Sequence, residues 1–465
     1  MLPVQPFMDS VIVRGDGCYL VDAEGKRILD LAAGQFCSIL GHNHPAFIER
    51  LSAQAANIVH IGDQYLSPVV MEAASRLAAI APASLDKVIL LSTGSEANEC
   101  AMRIAKTVTG RTGMLGFTRG YYGISLATHN LSSIGDHPDK HDFQPAPAHQ
   151  YKLLTPSCRH CPIKLSHDEC TLACLDVSLE SIGGQLGNIA AVIVEPIVSA
   201  GGMIYPSGEY YRKLREITRE LGILMIVDEA QTGFGRCGKW FDIENHGVVP
   251  DILVVSKTAG NGYPVAGVIV SDTVAAQLAR ASFTHLSSHQ NDPLGAAAVL
   301  AVIETVEKEQ LASRSREIGD YFLEGLRRLQ TKHHSIADVR GRGLMIAVEL
   351  ESGGPNAGET AFTAAMLCER KGVHLTFSYF EPVLRIIPPL ILAREDVDFA
   401  LSVLDDTLTE MEAGSADLLQ LIPQNCVSGP FVRGMMRPSR TAMLRKMWTT
   451  TPKQWVAKLK SMHAR

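Results

Sequence analysis

The chain has 465 residues, of which 46% are hydrophobic and 20% are charged. This composition is typical of a folded protein with a sizeable core. A formal net charge of −6, from 43 basic and 49 acidic residues, gives no chain-wide attraction to nucleic acid or to anionic membranes. The ten cysteines are scattered along the chain, which is typical of a reducing compartment. We therefore expect a cytoplasmic protein without nucleic-acid or membrane partners.

From about residue 88, short runs rich in Val and Ile alternate with longer segments of helical spacing. This alternation predicts an α/β protein with a parallel sheet. The predicted strands are Val88–Leu91, Met114–Phe117, Ala190–Val194, Ile223–Val227, Ile252–Val255 and Ala266–Val270, and the predicted helices between them are Ala97–Val108 and Glu209–Leu221. The strands are almost continuously hydrophobic, so we expect helices to cover both faces of the sheet.

A different pattern begins near residue 296 and predicts a second, smaller α+β domain over residues 296–415. A long and broken helical segment is predicted from about Ala296 to Gln330. The remaining predicted elements are a strand at Leu344–Leu350, a helix at Ala361–Arg370, strands at His374–Phe377 and Val383–Ile387, and a helix at Arg394–Glu412. Residues 416–465 form a basic tail with nine Lys or Arg residues and, after Asp417, no acidic residue.

Two charged side chains follow buried strands. Asp228 comes directly after the strand Ile223–Val227, and Lys257 comes two residues after Ile252–Val255. Parallel sheets bind ligands at the carboxyl ends of their strands. A desolvated lysine can form a Schiff base with a carbonyl cofactor, and an aspartate can pair with the ring nitrogen of pyridoxal phosphate. Taken alone, each has an ordinary alternative, because Asp often caps helices and Lys is usually exposed.

A phosphate site is predicted where Thr93, Gly94 and Ser95 lie between a strand and a helix. The free amides at a helix N-terminus bind phosphate, and a glycine permits close approach. The same residues also fit an ordinary helix cap. Tyr121, in Gly120-Tyr121-Tyr122-Gly123, is suited to stacking on a pyridine ring, with core packing as its alternative.

Together, these segments resemble the class III pyridoxal-phosphate aminotransferases of fold type I, and among them most closely the 2,2-dialkylglycine decarboxylase branch. The resemblance covers about residues 10–412. The segments that carry it are Gly34-Gln35, Leu40-Gly41-His42, Leu91 to Glu99, Glu195-Pro196-Ile197, Gly201-Gly202, Asp228 to Gly233, Ser256-Lys257-Thr258, His289, Asp292-Pro293-Leu294, Arg385 and Pro388-Pro389.

The resemblance implies a domain plan. It implies a large cofactor-binding domain (46–295) with a mainly parallel seven-stranded sheet, and an N-terminal segment (1–45) that joins the small domain. It also implies a homodimer or a dimer of dimers. Residues 155–175 are expected to be an insertion in the large domain.

The resemblance further implies a role for each site residue. Lys257 would be the Schiff-base lysine and proton carrier, Asp228 the partner of the pyridine nitrogen, and Gln231 the donor to the ring hydroxyl oxygen. Thr93, Gly94 and Ser95 match the phosphate loop, and Tyr121 matches the stacking aromatic. Ser288 matches a residue that reaches the phosphate from the neighbouring subunit. Arg385 matches the arginine that grips the substrate α-carboxylate.

The resemblance places Gln35 where the decarboxylase holds the departing carboxylate perpendicular to the cofactor ring. We therefore expect decarboxylation of a small 2,2-dialkylglycine, such as 2-aminoisobutyrate, followed by amino transfer to a 2-oxo acid such as pyruvate. If Gln35 is only a polar residue that packs locally, the expectation becomes plain amino transfer. Ala200 stands where many ω-amino-acid transaminases have a glutamate, which argues against that branch. A non-catalytic binding module is the remaining alternative.

Two sets of residues are candidate metal ligands. The decarboxylase branch binds an alkali metal, and Asp292, Ser288, Gln290 and Asp63 are the matching candidates for K⁺ or Na⁺, although Asp63 replaces a serine. Four cysteines at Cys-x2-Cys-x8-Cys-x3-Cys spacing could bind Zn²⁺, or their thiols could be free. They are Cys158, Cys161, Cys170 and Cys174.

Overall fold

The computed structural model describes residue 8 and residues 10–132, 149–166, 170–351, 357–378 and 381–414. The basic tail lies outside the described residues. The strands are β1 (Ile12–Asp16), β2 (Tyr19–Asp22), β3 (Arg27–Asp30), β4 (Leu85–Leu91), β5 (Gly113–Phe117), β6 (Gln150–Leu153), β7 (Ile189–Val194), β8 (Leu224–Asp228), β9 (Ile252–Val255), β10 (Ala266–Ser271), β11 (Ile336–Arg342), β12 (Met345–Leu350), β13 (Val373–His374), β14 (Thr376–Phe377) and β15 (Val383–Ile386).

The helices cover the sheets and connect their strands. They are a short turn α1 (Ala33–Phe36), α2 (Pro45–Asn57), α3 (Pro68–Ile80), α4 (Gly94–Thr109), α5 (Leu126–Leu131), α6 (Ala173–Ile182), α7 (Gly208–Glu220), α8 (Asp272–Arg280), α9 (Pro293–Lys308), α10 (Leu311–Lys332), α11 (Ala357–Arg370) and α12 (Arg394–Glu412). Three short 3₁₀ turns lie at Gly183–Asn188, Asp242–His246 and Lys257–Gly260. Among the described helices, none is long and apolar enough to cross a membrane.

A seven-stranded sheet with strand order β4-β10-β9-β8-β7-β5-β6 forms the centre of the molecule. The strands from β9 to β6 are parallel, whereas β10 runs antiparallel to both β4 and β9. All six residues of β7 and all four of β9 are buried, as their hydrophobic runs predict for a sheet covered on both faces. The predicted fold class, a mainly parallel α/β sheet of fold type I, is therefore confirmed.

Two four-stranded sheets accompany the central one. The first has strand order β1-β2-β3-β13, so that the N-terminal strand β3 pairs with β13, which lies more than 340 residues later. The second has strand order β11-β12-β15-β14 and is antiparallel throughout. The pairing of β3 with β13 brings the beginning of the described chain against its C-terminal part.

The structure corrects one predicted strand and locates the predicted break in the long helical segment. The predicted strand His374–Phe377 is wrong, because β13 and β14 belong to different sheets: Val373–His374 pairs with β3 and Thr376–Phe377 with β15. The long helical segment breaks at Gln310, whose φ of 54° is left-handed. The break separates α9 from α10 and allows both helices to pack against the core.

Candidate active site

Lys257 and Asp228 lie at the carboxyl ends of neighbouring parallel strands. Asp228 is the last residue of β8 and is opposite Val254 of β9, and Lys257 follows three residues after Val254. Lys257 begins a 3₁₀ turn with a left-handed φ of 41°, which turns the chain at the edge of the sheet. Both residues line the same cavity. The structure therefore brings together the two residues on which the sequence prediction depends.

The Asp228 carboxylate is buried and held by two donors. Asn98 Nδ2 donates to Asp228 Oδ2 at 2.7 Å, and the backbone N–H of Ala230 donates to Oδ1 at 2.9 Å. Burial raises the pKa of Asp228, and these two hydrogen bonds and the nearby Lys257 charge oppose that rise. The carboxylate is thus poised to accept a further positively polarised N–H group from the cavity.

The N-terminus of α4 faces the cavity and fits a phosphate. The Thr93 side chain caps the helix by accepting from the N–H of Glu96 at 3.3 Å. A Cβ added at Gly94 would lie 3.2 Å from Ser256 Oγ, so glycine lets the helix start approach the segment that carries Lys257. Ser95 Oγ accepts from the N–H of Ile124 at 3.1 Å. The predicted phosphate residues Thr93, Gly94 and Ser95 all line the cavity.

Tyr121 lines the cavity, and its backbone N–H donates to Glu195 Oε1 at 2.8 Å. Glu195 follows β7, and burial raises its pKa to about 8. The ring of Tyr122 is buried instead, with its hydroxyl accepting from the N–H of Phe117 at 2.8 Å. Of the two adjacent tyrosines, Tyr121 faces the cavity, and Tyr121 is the one predicted to stack on a cofactor.

The cavity has a volume of about 260 Å³. Gln231 lines it, is 8% exposed, and has a buried Oε1 atom without a hydrogen-bond partner. Buried polar atoms are rarely left unpaired, so this side chain is available to a ligand. A helix N-terminus for phosphate, a carboxylate for a ring nitrogen, a free amide and a lysine amine all open on one cavity, and these groups fit pyridoxal phosphate.

Arg385 lies on β15, is 8% exposed, and places its guanidinium carbon 4.9 Å from the centre of the Phe36 ring. Arg385 does not itself line the cavity, but Cys37, which follows Phe36, does. The arginine therefore lies beside the segment that forms one wall of the cavity. A guanidinium stacked on an aromatic ring is held in a fixed orientation.

Gln35 lies in turn α1, where Ala33, Gly34, Gln35 and Phe36 all have left-handed φ angles between 45° and 72°. The buried Asp30 carboxylate supports this turn by accepting from the N–H groups of Ala32 at 2.9 Å and Gly34 at 3.0 Å. The Gln35 side chain is exposed and does not line the cavity of the single chain. The structure therefore does not bring Gln35 to Lys257.

The predicted alkali-metal residues lie outside the cavity of Lys257. Both Asp292 carboxylate oxygens accept hydrogen bonds, Oδ1 from His60 and Oδ2 from His289, each at 2.8 Å. Gln290 Nε2 donates to Asp63 Oδ2 at 3.5 Å. Ser288 is exposed and, within one chain, also lies outside that cavity.

Among the residues that line the cavity and had no role in the sequence analysis, three polar ones contribute to its chemistry. They are Glu195, Asn98 and Cys37. The position of Glu195 directly after a buried strand, like that of Asp228, is the signal that could have identified it. Asn98 gives no such signal, because only the folded sheet shows that its amide meets Asp228.

This arrangement of lysine, aspartate and helix N-terminus defines a pyridoxal-phosphate-dependent enzyme of fold type I. The family model for class-III aminotransferases matches residues 3–408, and the chain belongs to that family.

Two curated relatives support the assignment. An uncharacterized aminotransferase of Schizosaccharomyces pombe is 33% identical over 87% of this chain and 91% of its own length. Acetylornithine aminotransferase of Methanothermobacter thermautotrophicus is 32% identical over 86% of this chain and 94% of its own length.

A solved structure supports the same fold. The PLP-bound amine transaminase from an uncultivated Pseudomonas species has a TM-score of 0.79 and 29% identity, covering 86% of this chain and 95% of its own. Pyridoxal phosphate is thus the cofactor of the family. The finer prediction, a decarboxylase, finds no support, because none of these proteins is named as one.

Proposed function

We propose that the protein is an aminotransferase that moves the amino group of an α-amino acid to a 2-oxo acid. The observation that carries this proposal is the buried Arg385 guanidinium, which is oriented by Phe36 beside the cavity of Lys257. An arginine in this position binds a carboxylate through two parallel hydrogen bonds. Both an amino acid and a 2-oxo acid present such a group next to the reacting carbon.

Bound pyridoxal phosphate supplies a carbonyl carbon that takes up the amino group and a ring that accepts electrons from the substrate α carbon. The Asp228 carboxylate would keep a proton on the ring nitrogen. The Lys257 amine would carry a proton between the substrate α carbon and the cofactor. The N-terminus of α4 binds the phosphate, and the Gln231 amide binds the ring hydroxyl oxygen.

The alanine at position 200 favours α-amino acids over ω-amino acids as substrates. The resemblance places Ala200 where many ω-amino-acid transaminases have a glutamate that pairs with the arginine, and an alanine cannot form that pair. We therefore expect Arg385 to bind a substrate whose carboxylate lies next to the reacting amine.

Decarboxylation of a 2,2-dialkylglycine is the second candidate, and it rests on Gln35. The exposed position of that side chain in the single chain, together with the names of the relatives, supports plain amino transfer instead. Because Gln35 and Ser288 are both exposed, we infer that a second copy of the chain covers this side of the cavity, with Ser288 contributing to the partner's phosphate site. The Asp292 carboxylate already accepts hydrogen bonds from His60 and His289, and none of the relatives is named for an alkali metal.

The test is a panel of amino donors given to the purified holoenzyme. L-Alanine with 2-oxoglutarate, 2-aminoisobutyrate with pyruvate, and a primary amine without a carboxylate with pyruvate are incubated separately, and new amino acid, ketone and CO₂ are measured. The Lys257→Ala variant is the control for each reaction. We expect amino transfer from one or more α-amino acids without CO₂. Release of CO₂ and acetone from 2-aminoisobutyrate would replace this proposal by the decarboxylase, and transfer confined to amines without a carboxylate would contradict it.

A further inference from the structure

Four cysteines of the segment 155–175 surround one small cavity at the edge of the molecule. The cavity is separate from that of Lys257 and is lined by all four thiols together with Ser207 and Tyr210 at the start of α7. The lining cysteines are Cys158, Cys161, Cys170 and Cys174. The fold thus brings together four sulfur atoms that the sequence spreads over 17 residues.

The thiols are mutual neighbours as well as neighbours of the cavity. Cys161 and Cys170 lie close enough to Cys158 to interact with it electrostatically, and all three lie close enough to Cys174 to do the same. Cys174 lies in the first turn of α6. All described cysteines, including these four, are free thiols.

We propose that these four cysteines bind one Zn²⁺ ion as a structural Cys₄ site. Four soft sulfur ligands and a Cys-x2-Cys pair are the features that structural zinc sites share. Tetrahedral coordination at about 2.3 Å requires neighbouring sulfurs to lie about 3.8 Å apart. Among the described residues, the structure places no three of these sulfur atoms within 4.8 Å of one another, so the four thiols would have to move closer together to coordinate one zinc ion.

The two residues between Cys158 and Cys161 connect the proposed zinc site to the sheet that carries Arg385. Arg159 Nε donates to Glu349 Oε1 at 3.0 Å, and His160 Nε2 lies 2.7 Å from the same oxygen. Glu349 lies on β12, whose neighbour in the sheet is β15 with Arg385. A metal that fixes Cys158 and Cys161 therefore fixes the contact between this segment and the sheet that carries Arg385.

Glu349 makes this contact a strong one. Its other oxygen, Oε2, accepts from Arg340 Nη1 at 2.7 Å, and its side chain is only 5% exposed. Burial would raise the pKa of Glu349, but the hydrogen bond with His160, the charge of Arg340 and the hydrogen bond with Arg159 outweigh it and lower that pKa. A charged and hydrogen-bonded carboxylate with little solvent exposure is a specific anchor, and loss of Arg159 and His160 would leave it only partly paired.

The experiment measures zinc directly. The full-length protein is purified without chelator after growth with ZnCl₂, and metal is quantified by atomic emission. Zinc release is then followed with a chromogenic chelator as the thiols are titrated with a mercurial. The variants are Cys158→Ser/Cys161→Ser and, separately, Cys170→Ser. The control is Cys368→Ser, since Cys368 Sγ donates to Thr407 Oγ1 at 3.6 Å and a serine hydroxyl can do the same.

We expect one zinc per chain in the wild type and in Cys368→Ser, released as the cluster thiols react. The cluster variants should lose it and should raise the KM for the amino acid with little change in cofactor content. Wild-type protein with no zinc and with four rapidly titrating thiols would overturn the proposal. Disulfides between these cysteines under non-reducing conditions would also overturn it. The thiol titration needs no variant, so it decides the question even if the variants fail to fold.

Discussion

Asn98 Nδ2 lies 2.7 Å from Oδ2 of Asp228, and this contact joins two functions of the site. Asn98 belongs to α4, whose N-terminus fits the cofactor phosphate, whereas Asp228 ends β8 and fits the ring nitrogen. The second Nδ2 contact, to the carbonyl oxygen of Tyr122 at 2.8 Å, adds the segment that carries Tyr121. One buried amide therefore sets the spacing of three elements that must contact a single cofactor.

Replacement of Asn98 by alanine should weaken cofactor binding, most strongly at low pH. The Asn98 hydrogen bond lowers the pKa of Asp228 against the effect of burial, so its loss raises that pKa and protonates the carboxylate at a higher pH. We expect about a tenfold loss of pyridoxal-phosphate affinity at neutral pH, with the acid limb of activity moved to higher pH. Cofactor titration over a pH series measures both. Asn43→Ala, which removes a bond to the exposed Gly15 carbonyl, should leave them unchanged.

Replacement of Glu195 by glutamine should flatten the pH dependence of stability in the cofactor-free protein. Burial raises the Glu195 pKa from 4.5 to about 8. Between these values the folded chain keeps a proton that the unfolded chain has lost, so the free energy of unfolding falls as pH rises. One proton corresponds to a slope of about 1.4 kcal/mol per pH unit.

Urea unfolding of the cofactor-free protein at several pH values measures this slope. The glutamine variant should lose up to that amount of slope, whereas a substitution of the exposed Glu209 by glutamine should not change it. An unchanged slope in Glu195→Gln would mean that Glu195 is already ionised in the folded protein.

Replacement of Arg385 should slow the reaction of substrates that carry an α-carboxylate and should leave amines without a carboxylate unaffected. Arg385→Lys keeps the charge but loses the planar two-pronged donor, and we expect kcat/KM for an α-amino acid to fall by about 10²-fold or more. A primary amine without a carboxylate should react about as fast as with the wild type. Arg394→Lys, on an exposed ion pair with Glu317, is the matched control. Equal losses for both substrate types would show that Arg385 supports the fold and does not bind substrate.

Replacement of Gly123 by alanine should reduce cofactor content. Gly123 has a φ of 133°, and an added Cβ would lie 2.3 Å from Ser95 Oγ, so the change is strained and displaces a phosphate residue. Gly110→Ala is the control, because Gly110 also has a positive φ of 68° but has no atom within 4 Å of the added Cβ. The control should lose only about 1 kcal/mol of stability. Similar cofactor content in the two variants would contradict the placement of Ser95.

The strands that the sequence predicted well are those whose burial is complete. Ile252–Val255 has the predicted bounds, and β7 differs from its prediction by one residue. The strand β6 was not predicted, because Gln150–Leu153 has three half-buried residues and lies at the edge of the sheet. A short edge strand leaves little hydrophobic pattern in the sequence. The strand β6 is defined by its backbone pairing with the neighbouring β5.

The sequence by itself determined the α/β fold, the family, and the positions of Lys257, Asp228 and the phosphate loop, because buried strands and their ends leave a local pattern. Only the tertiary structure decided that Asn98 holds Asp228, that Glu195 holds Tyr121, and that Gln35 is exposed in the single chain. It also decided that β13 and β14 pair in different sheets and that four cysteines meet at one cavity. Those relationships join residues that are distant in the chain, and packing between elements fixes them without a local sequence signal.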